Sequence, residues 1–141
     1  MEIRFAQKAV ILRQQELLLV RKSALDPNNP NLWELPGGRL DGDESVDEAL
    51  RREVREEVGL EVTPGRLLHL WEWNLRTTDE IVKVIAVARF CEIESGTVNR
   101  DNNAAGDFLS DVRWVQLSSA LDLPLISDQE YVIKEVANHL A

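Results

Sequence analysis

Glu53, Glu56 and Glu57 sit where an ordinary amphipathic helix would carry Leu or Val. Residues Ser45 to Val58 contain neither Gly nor Pro, are rich in Glu, Arg, Ala and Leu, and stop at Gly59, which reads as a helix with its C-terminal signal. Asp41, Asp43 and Glu44 precede or open it, where carboxylates suit the positive end of the helix dipole. At about 100° per residue, Val46, Ala49, Leu50, Val54 and Val58 form the buried side. Glu53 and Glu57 fall inside that arc and Glu56 at its edge. Glu53 and Glu57 are a like-charge i,i+4 pair, destabilising by roughly 0.2–0.5 kcal/mol when exposed and by more when partly buried. A divalent cation reverses that sign. Three carboxylates on adjacent turns offer oxygen ligands on one face, as Mg²⁺ requires, and this hard ion keeps several waters and takes up phosphate oxygens. The plainer alternative is a solvated face laced with Asp47–Arg51, Glu48–Arg52 and Arg52–Glu56 pairs. The carboxylates lie on the wrong side for that, and the metal reading is preferred.

The segment that must position this helix has its own grammar. Trp33-Glu34-Leu35 reads as a short strand stopped by Pro36. Gly37-Gly38 then permits backbone conformations that a side chain forbids, although alone the pair is no more than a turn. Asp41, Asp43 and Ser45 are spaced like the first ligands of an EF-hand loop. Position 12 of such a loop would be Arg52 and position 6 Val46, which excludes it. The whole stretch from Gly38 to Leu60 reads GRLDGDESVDEALRREVREEVGL: Gly38, five residues, Glu44, seven residues, then Arg52-Glu53-Val54-Arg55-Glu56-Glu57-Val58-Gly59-Leu60. This resembles the Nudix box and matches it at every position that pattern constrains.

The resemblance implies a metal-dependent hydrolase of nucleoside diphosphate-linked compounds on the Nudix fold, an α/β/α sandwich around a mixed β-sheet. It implies that Glu53, Glu56, Glu57 and the Gly38 carbonyl hold Mg²⁺ or Mn²⁺, and that Glu44 and Arg52 brace the loop against the helix. Water would attack at phosphorus, with charge on the bridging oxygen stabilised by metal. The general base is Glu53, another box glutamate or an acid in a downstream loop. Many relatives carry a further Glu shortly before a strand ending in Trp-Val, here the stretch Asp107 to Val115. Phe108 occupies that Glu position. Asp107 beside it either reaches the metal with a shorter arm or caps a loop, and Phe108 is a candidate for the substrate pocket.

Composition bounds the remainder. The chain has 141 residues, expected to form one domain over 1–141 with the box at 38–60. Acidic residues number 25 against 16 basic, giving net charge −9 and a pI near 4.7. Such a chain repels polyanions, and no Lys/Arg cluster compensates, so nucleic acid is not an expected partner. The single Cys91 excludes an internal disulfide and suits a reducing cytoplasm; in its strand-like run it reads as a core residue rather than a nucleophile. The first twenty residues carry Arg4, Lys8 and Arg13 and no apolar stretch of signal or membrane length. A cytoplasmic location follows as an expectation, and a homodimer is compatible with the sequence.

Strands are expected over Ile3–Leu12, Leu17–Arg21, Leu32–Leu35, Leu67–Asn74, Val82–Glu92 and Val112–Val115. Turns are expected at Asp26–Asn31, Thr63–Gly65 and Glu94–Gly96. A second helix is expected from about Asp128 to Leu140, capped by Ser127 or Asp128, with Tyr131, Val132, Val136 and Leu140 inward.

Substrate identity is read by subtraction within the resemblance. Trp71 to Thr78 holds no proline of the ADP-ribose branch, and the only tyrosine, Tyr131, is far from where the dinucleoside polyphosphate branch has one. The coenzyme A and NADH motifs are missing from their usual places. A (deoxy)nucleoside triphosphate pyrophosphohydrolase remains, with oxidised nucleotides among its candidate substrates. The alternatives are an ADP-ribose or sugar-nucleotide pyrophosphatase and a non-catalytic ligand-binding module. A prenyl diphosphate isomerase is disfavoured because Cys91 lies far from the box. Trp33 is the candidate to stack on a base, while Trp71 and Trp73, alternating on one strand face, read as packing. Of Arg4, Arg21, Lys22, Arg39 and Arg76, only Arg39, inside the box loop, is preferred as a phosphate contact over a surface charge.

Overall fold

The run Leu17-Leu18-Leu19-Val20 is apolar at every position, which a strand sustains when both of its faces are covered. The computed structural model, which describes residues 1–99 and 109–140, shows both covers. The strands are β1 (Glu2–Arg13), β2 (Glu16–Lys22), β3 (Trp33–Glu34), β4 (Gly37–Arg39), β5 (Glu61–Arg76), β6 (Ile81–Ser95) and β7 (Leu109–Gln116). The helices are α1 (Val46–Val58), α2 (Leu117–Ala120) and α3 (Gln129–Leu140). Leu18 and Val20 join Ala9 and Ile11 in a core with Leu50, Val54 and Val58 of α1. Leu17 and Leu19 join Val10 in a second core with Val132, Ile133 and Val136 of α3. Alternation along β1 and β2 therefore sends successive side chains to opposite helices, and the result is the expected α/β/α sandwich.

The sheet runs β3-β2-β1-β6-β5, with β4 paired to β1 and β7 to β2. It is mixed. β1 and β6 are parallel from Glu2↔Val82 to Ile11↔Cys91, whereas β1 and β4 are antiparallel with Ala6↔Arg39, Gln7↔Gly38 and Lys8↔Gly37 in register. Gly37-Gly38 is thus a short strand rather than a turn. Gly37 has φ +142°, and a Cβ there would collide with the backbone of Gln7, so this approach of β4 to β1 requires glycine.

Three other expectations are corrected. Thr63-Pro64-Gly65 does not break the chain: β5 runs through it with a register shift between Pro64 and Leu67. Proline is tolerated because β5 is the edge of the sheet and its ladder is already irregular there. Tyr131 and Leu140 do not face the core, being 57% and 39% exposed. The α3 face is set instead by Gln129, whose Oε1 accepts from the Leu35 N–H at 3.2 Å, and the buried positions follow as Gln129, Val132, Ile133 and Val136. Val46, placed inward by the periodicity, is largely exposed at the first turn of α1. Cys91 is buried and its thiol is pushed up to about 12 by that burial, consistent with a packing role. No helix among the described residues is long and apolar enough to cross a membrane.

Candidate active site

Helix α1 is fixed at both ends by its own sequence. The Ser45 side chain accepts from the Glu48 N–H at 3.1 Å, and Gly59, at φ +81°, closes the helix with its N–H on the Arg55 carbonyl at 3.0 Å. These are standard N-cap and C′ solutions for orphaned backbone groups. They hold the carboxylate-bearing turns against β4.

The three box glutamates differ in environment. Glu57 is 6% exposed, and its Oε1 accepts from the Gly37 N–H at 2.9 Å. Burial raises its carboxyl to about 8, with Glu34 and Glu53 adding to the rise and Lys8 and the Gly37 N–H opposing it. Glu53 lies against the other glycine. A Cβ on Gly38 would stand 2.5 Å from the Glu53 Cδ and 2.6 and 2.7 Å from its carboxylate oxygens. Glu56 is more open and receives Arg52 Nη1 at 3.2 Å.

Arg52 ties the box together. Its Nε and Nη2 donate to the two Glu44 oxygens at 2.6 and 2.9 Å, and its Nη1 donates to Glu53 at 3.1 Å. This two-pronged grip holds Glu44 below the ordinary carboxylate range and Arg52 above the ordinary guanidinium range. Of the helix-surface pairs weighed in the sequence, Arg52–Glu56 forms, whereas Asp47 turns to Arg89 instead, at 2.7 Å.

Carboxylates and a neighbouring backbone carbonyl make a hard oxygen-donor set, suited to Mg²⁺ or Mn²⁺ rather than to softer metals. Among the described residues no three acidic, His or Cys side chains already converge as a ligand cluster. Glu53 and Glu57 are drawn to Arg52 and to Gly37. The fit to a cation rests on the burial that destabilises the Glu57 anion and on the close approach of the Glu53 carboxylate to the Gly38 backbone.

Two cavities of about 690 Å³ each flank β4. One is lined by Asp41, Arg52 and Glu53, and the other by Lys8, Lys22, Glu34, Trp73, Asn74 and Asp128. Arg4 and Arg39 border both. Lys8 and Lys22 reach Glu34 at 2.6 and 3.1 Å beneath the second cavity. Burial works against charge on both Lys8 and Glu34, but the opposite charges outweigh it, so Lys8 is shifted up and Glu34 down. Lys22 is therefore a buried-pair partner rather than the surface charge expected from sequence.

The structure brings Gly38, Glu44, Arg52, Glu53, Glu56 and Glu57 together and sets Arg39 at their edge. It does not bring Trp33 there. Trp33 is 3% exposed in the α3-side core, with its backbone clamped to Pro124 and Ile126, and so offers no stacking face. Asp107 and Phe108 lie outside the described residues. Sequence reasoning missed Lys8 and Glu34, and underrated Trp73, which lines the second cavity while also packing on Trp71. A lysine followed directly by the apolar run Ala9–Leu12 of a strand was the available signal for Lys8.

A family model described as the NUDIX domain matches residues 3–136. The chain is 37% identical over 79 residues to a CTP pyrophosphohydrolase of Escherichia coli K12, covering 48% of this chain and 58% of that protein. It is 36% identical over 59 residues to an 8-oxo-dGTP diphosphatase of Proteus vulgaris, covering 42% of this chain and 53% of that protein. The matched stretches thus span only about half the length of these curated relatives. The crystal structure of the MutT protein from Methanosarcina mazei Go1 superposes with TM-score 0.76 at 26% identity, covering 98% of this chain and 95% of that one.

Proposed function

This chain belongs to the Nudix family, and from that premise we propose that it is a Mg²⁺-dependent pyrophosphohydrolase converting a nucleoside triphosphate to the monophosphate and pyrophosphate. The observation that carries the reading is Glu57, a carboxyl pushed up to about 8 by burial on the same helix face as Glu53 and beside Gly37-Gly38. Such a group is unfavourable as an anion until a cation joins it. The triphosphate reading is supported by the two relatives above, whose names both carry a nucleoside triphosphate. Oxidised nucleotides are included among the candidates.

Glu53, Glu56, Glu57 and the Gly38 carbonyl would hold the cation, which when bound neutralises phosphate charge and lowers the pKa of a water. The protein's own part is orientation. Arg52 fixes Glu53 and Glu56 from one side while Glu44 fixes Arg52 from the other. Arg39, which borders both cavities, would donate to phosphate oxygens. The nucleoside occupies the second cavity, beside Trp73 and Asn74.

Pyrophosphate release measured across nucleoside triphosphates, ADP-ribose, sugar nucleotides and dinucleoside polyphosphates tests the substrate class. The expected result is preference for a triphosphate; preference for ADP-ribose overturns it. Glu57→Gln is expected to lower Mg²⁺-dependent turnover at least about tenfold, and turnover at the wild-type rate would remove the ligand role.

A further inference from the structure

The box is held to the sheet by a residue outside it. Gln7 is 1% exposed on β1, and both ends of its side-chain amide are used. Its Nε2 donates to the Val46 carbonyl at 2.7 Å, in the first turn of α1. Its Oε1 accepts from Arg89 Nη1 at 3.2 Å. The same Arg89 Nη1 donates to Asp47 at 2.7 Å, and its Nε donates to the Gly65 carbonyl at 2.9 Å. Guanidinium can only donate, so Arg89 dictates which end of the amide faces it and leaves the Nε2 donor for Val46.

The Gly65 carbonyl is part of this device. It lies in the irregular stretch of β5 where the register shifts between Pro64 and Leu67. A Cβ at Gly65 would stand 2.9 Å from the Phe90 carbonyl, so the close approach that presents this oxygen requires glycine.

The backbone of Gln7 has a second job. It is the register partner of Gly38 on β4. One residue therefore pairs with Gly38, the glycine against which the Glu53 carboxylate lies, and grips the first turn of the helix that carries Glu53 and Glu57. We propose that Gln7 is a positioning residue for the cation site, setting the separation between the Gly38 carbonyl and the α1 carboxylates, with Arg89 holding its amide in orientation. The inference rests on the cation reading given above. It requires no new ligand. It explains why a polar side chain is fully buried on the face of β1 that it shares with Ala9 and Ile11, which pack against α1.

The test is direct titration of the metal-free protein with Mn²⁺ alone, following unbound Mn²⁺ by its paramagnetic resonance signal, with folding checked by circular dichroism. Gln7→Met keeps bulk and removes both hydrogen bonds; its dissociation constant for Mn²⁺ is expected to rise at least about tenfold. Arg89→Met leaves the amide in place without its anchor and is expected to move the constant in the same direction. The double variant should be no weaker than Gln7→Met by more than about twofold, because the two act as one unit. Ile11→Val, a loss of packing on the same face of β1, is the control for mere destabilisation: its melting temperature should fall with Mn²⁺ affinity unchanged. Should Gln7→Met fail to fold, Arg89→Met decides alone. Wild-type affinity in the folded variants, or an equal weakening in Ile11→Val, overturns the positioning role while leaving the cation site intact. Absence of Mn²⁺ uptake by the wild-type protein overturns the cation reading, and this inference with it.

Discussion

In the metal-free protein Glu57 is a proton store. Its carboxyl stands at about 8 against an ordinary value of 4.5, chiefly because of burial. Between those two pH values the folded state binds a proton that the unfolded state has released. Its contribution to stability is therefore fully present below 4.5 and is lost as pH rises through about 8. The slope approaches ~1.4 kcal/mol per pH unit. Urea unfolding in EDTA at pH 6 and pH 8.5 should show wild type losing more stability than Glu57→Gln over that interval. Cation uptake runs the other way. The ligand must be ionised, so apparent Mn²⁺ affinity should climb with pH up to about 8 and then level off, with proton release visible calorimetrically in buffers of different ionisation enthalpy. At this scale the sequence was legible wherever spacing alone carries information. Arg52, Glu53, Glu56 and Glu57 are placed by helix geometry, and Glu44, just ahead of the helix, is close enough in the chain to reach Arg52. Gln7, Lys8 and Glu34 were not legible, because what they touch depends on strand pairing.

Between elements, the contact that matters is β4 on α1. Gly38 and Glu53 are 15 positions apart in numbering and meet because β4 lies against the helix, with no room for a Cβ between them. Gly38→Ala should displace the Glu53 carboxylate, since that flexible side chain yields more readily than backbone. The expected outcome is a fall in Mg²⁺-dependent turnover of at least about tenfold with circular dichroism unchanged. At the capped end, Ser45→Ala removes the acceptor for the Glu48 N–H and should lower stability by about 1 kcal/mol, measured by urea unfolding at saturating Mg²⁺. The start and stop of α1 were readable because Ser45 and Gly59 are local signals. The rotation of α3 was not. Tyr131 and Leu140 fit an inward stripe as well as Ile133 does, and only the bond from Leu35 to Gln129 chooses between them.

Across the molecule, a net charge of −9 stands against the proposed polyphosphate substrate. The rim shared by the two cavities carries Arg4 and Arg39, and the second cavity adds Arg76, Lys8 and Lys22. Acidic residues share those walls, and Lys8 and Lys22 are both paired with Glu34. Lys8 and Glu34 are the buried part of that arrangement, at 8% and 5% exposure. Removing one partner leaves the other charge stranded, so Lys8→Met should destabilise by about 3–5 kcal/mol, while Lys8→Met combined with Glu34→Leu should recover much of the loss, as read from urea midpoints. The sandwich itself was legible from the order of strands and helices together with the box resemblance, whereas periodicity alone left several α/β topologies open. The parallel pairing of β1 with β6 was not, since no local pattern links Phe5 to Ile85. That pairing also dictates an order of assembly. The acidic ligands and their helix arise from one contiguous stretch, but the strand that holds them in register finds its parallel neighbour some 80 residues later. Closing so large a loop is slow and entropically unfavourable. A nascent chain thus displays all of its box glutamates before β6, the parallel partner of β1, has been made, and before β7 and α3 complete the frame.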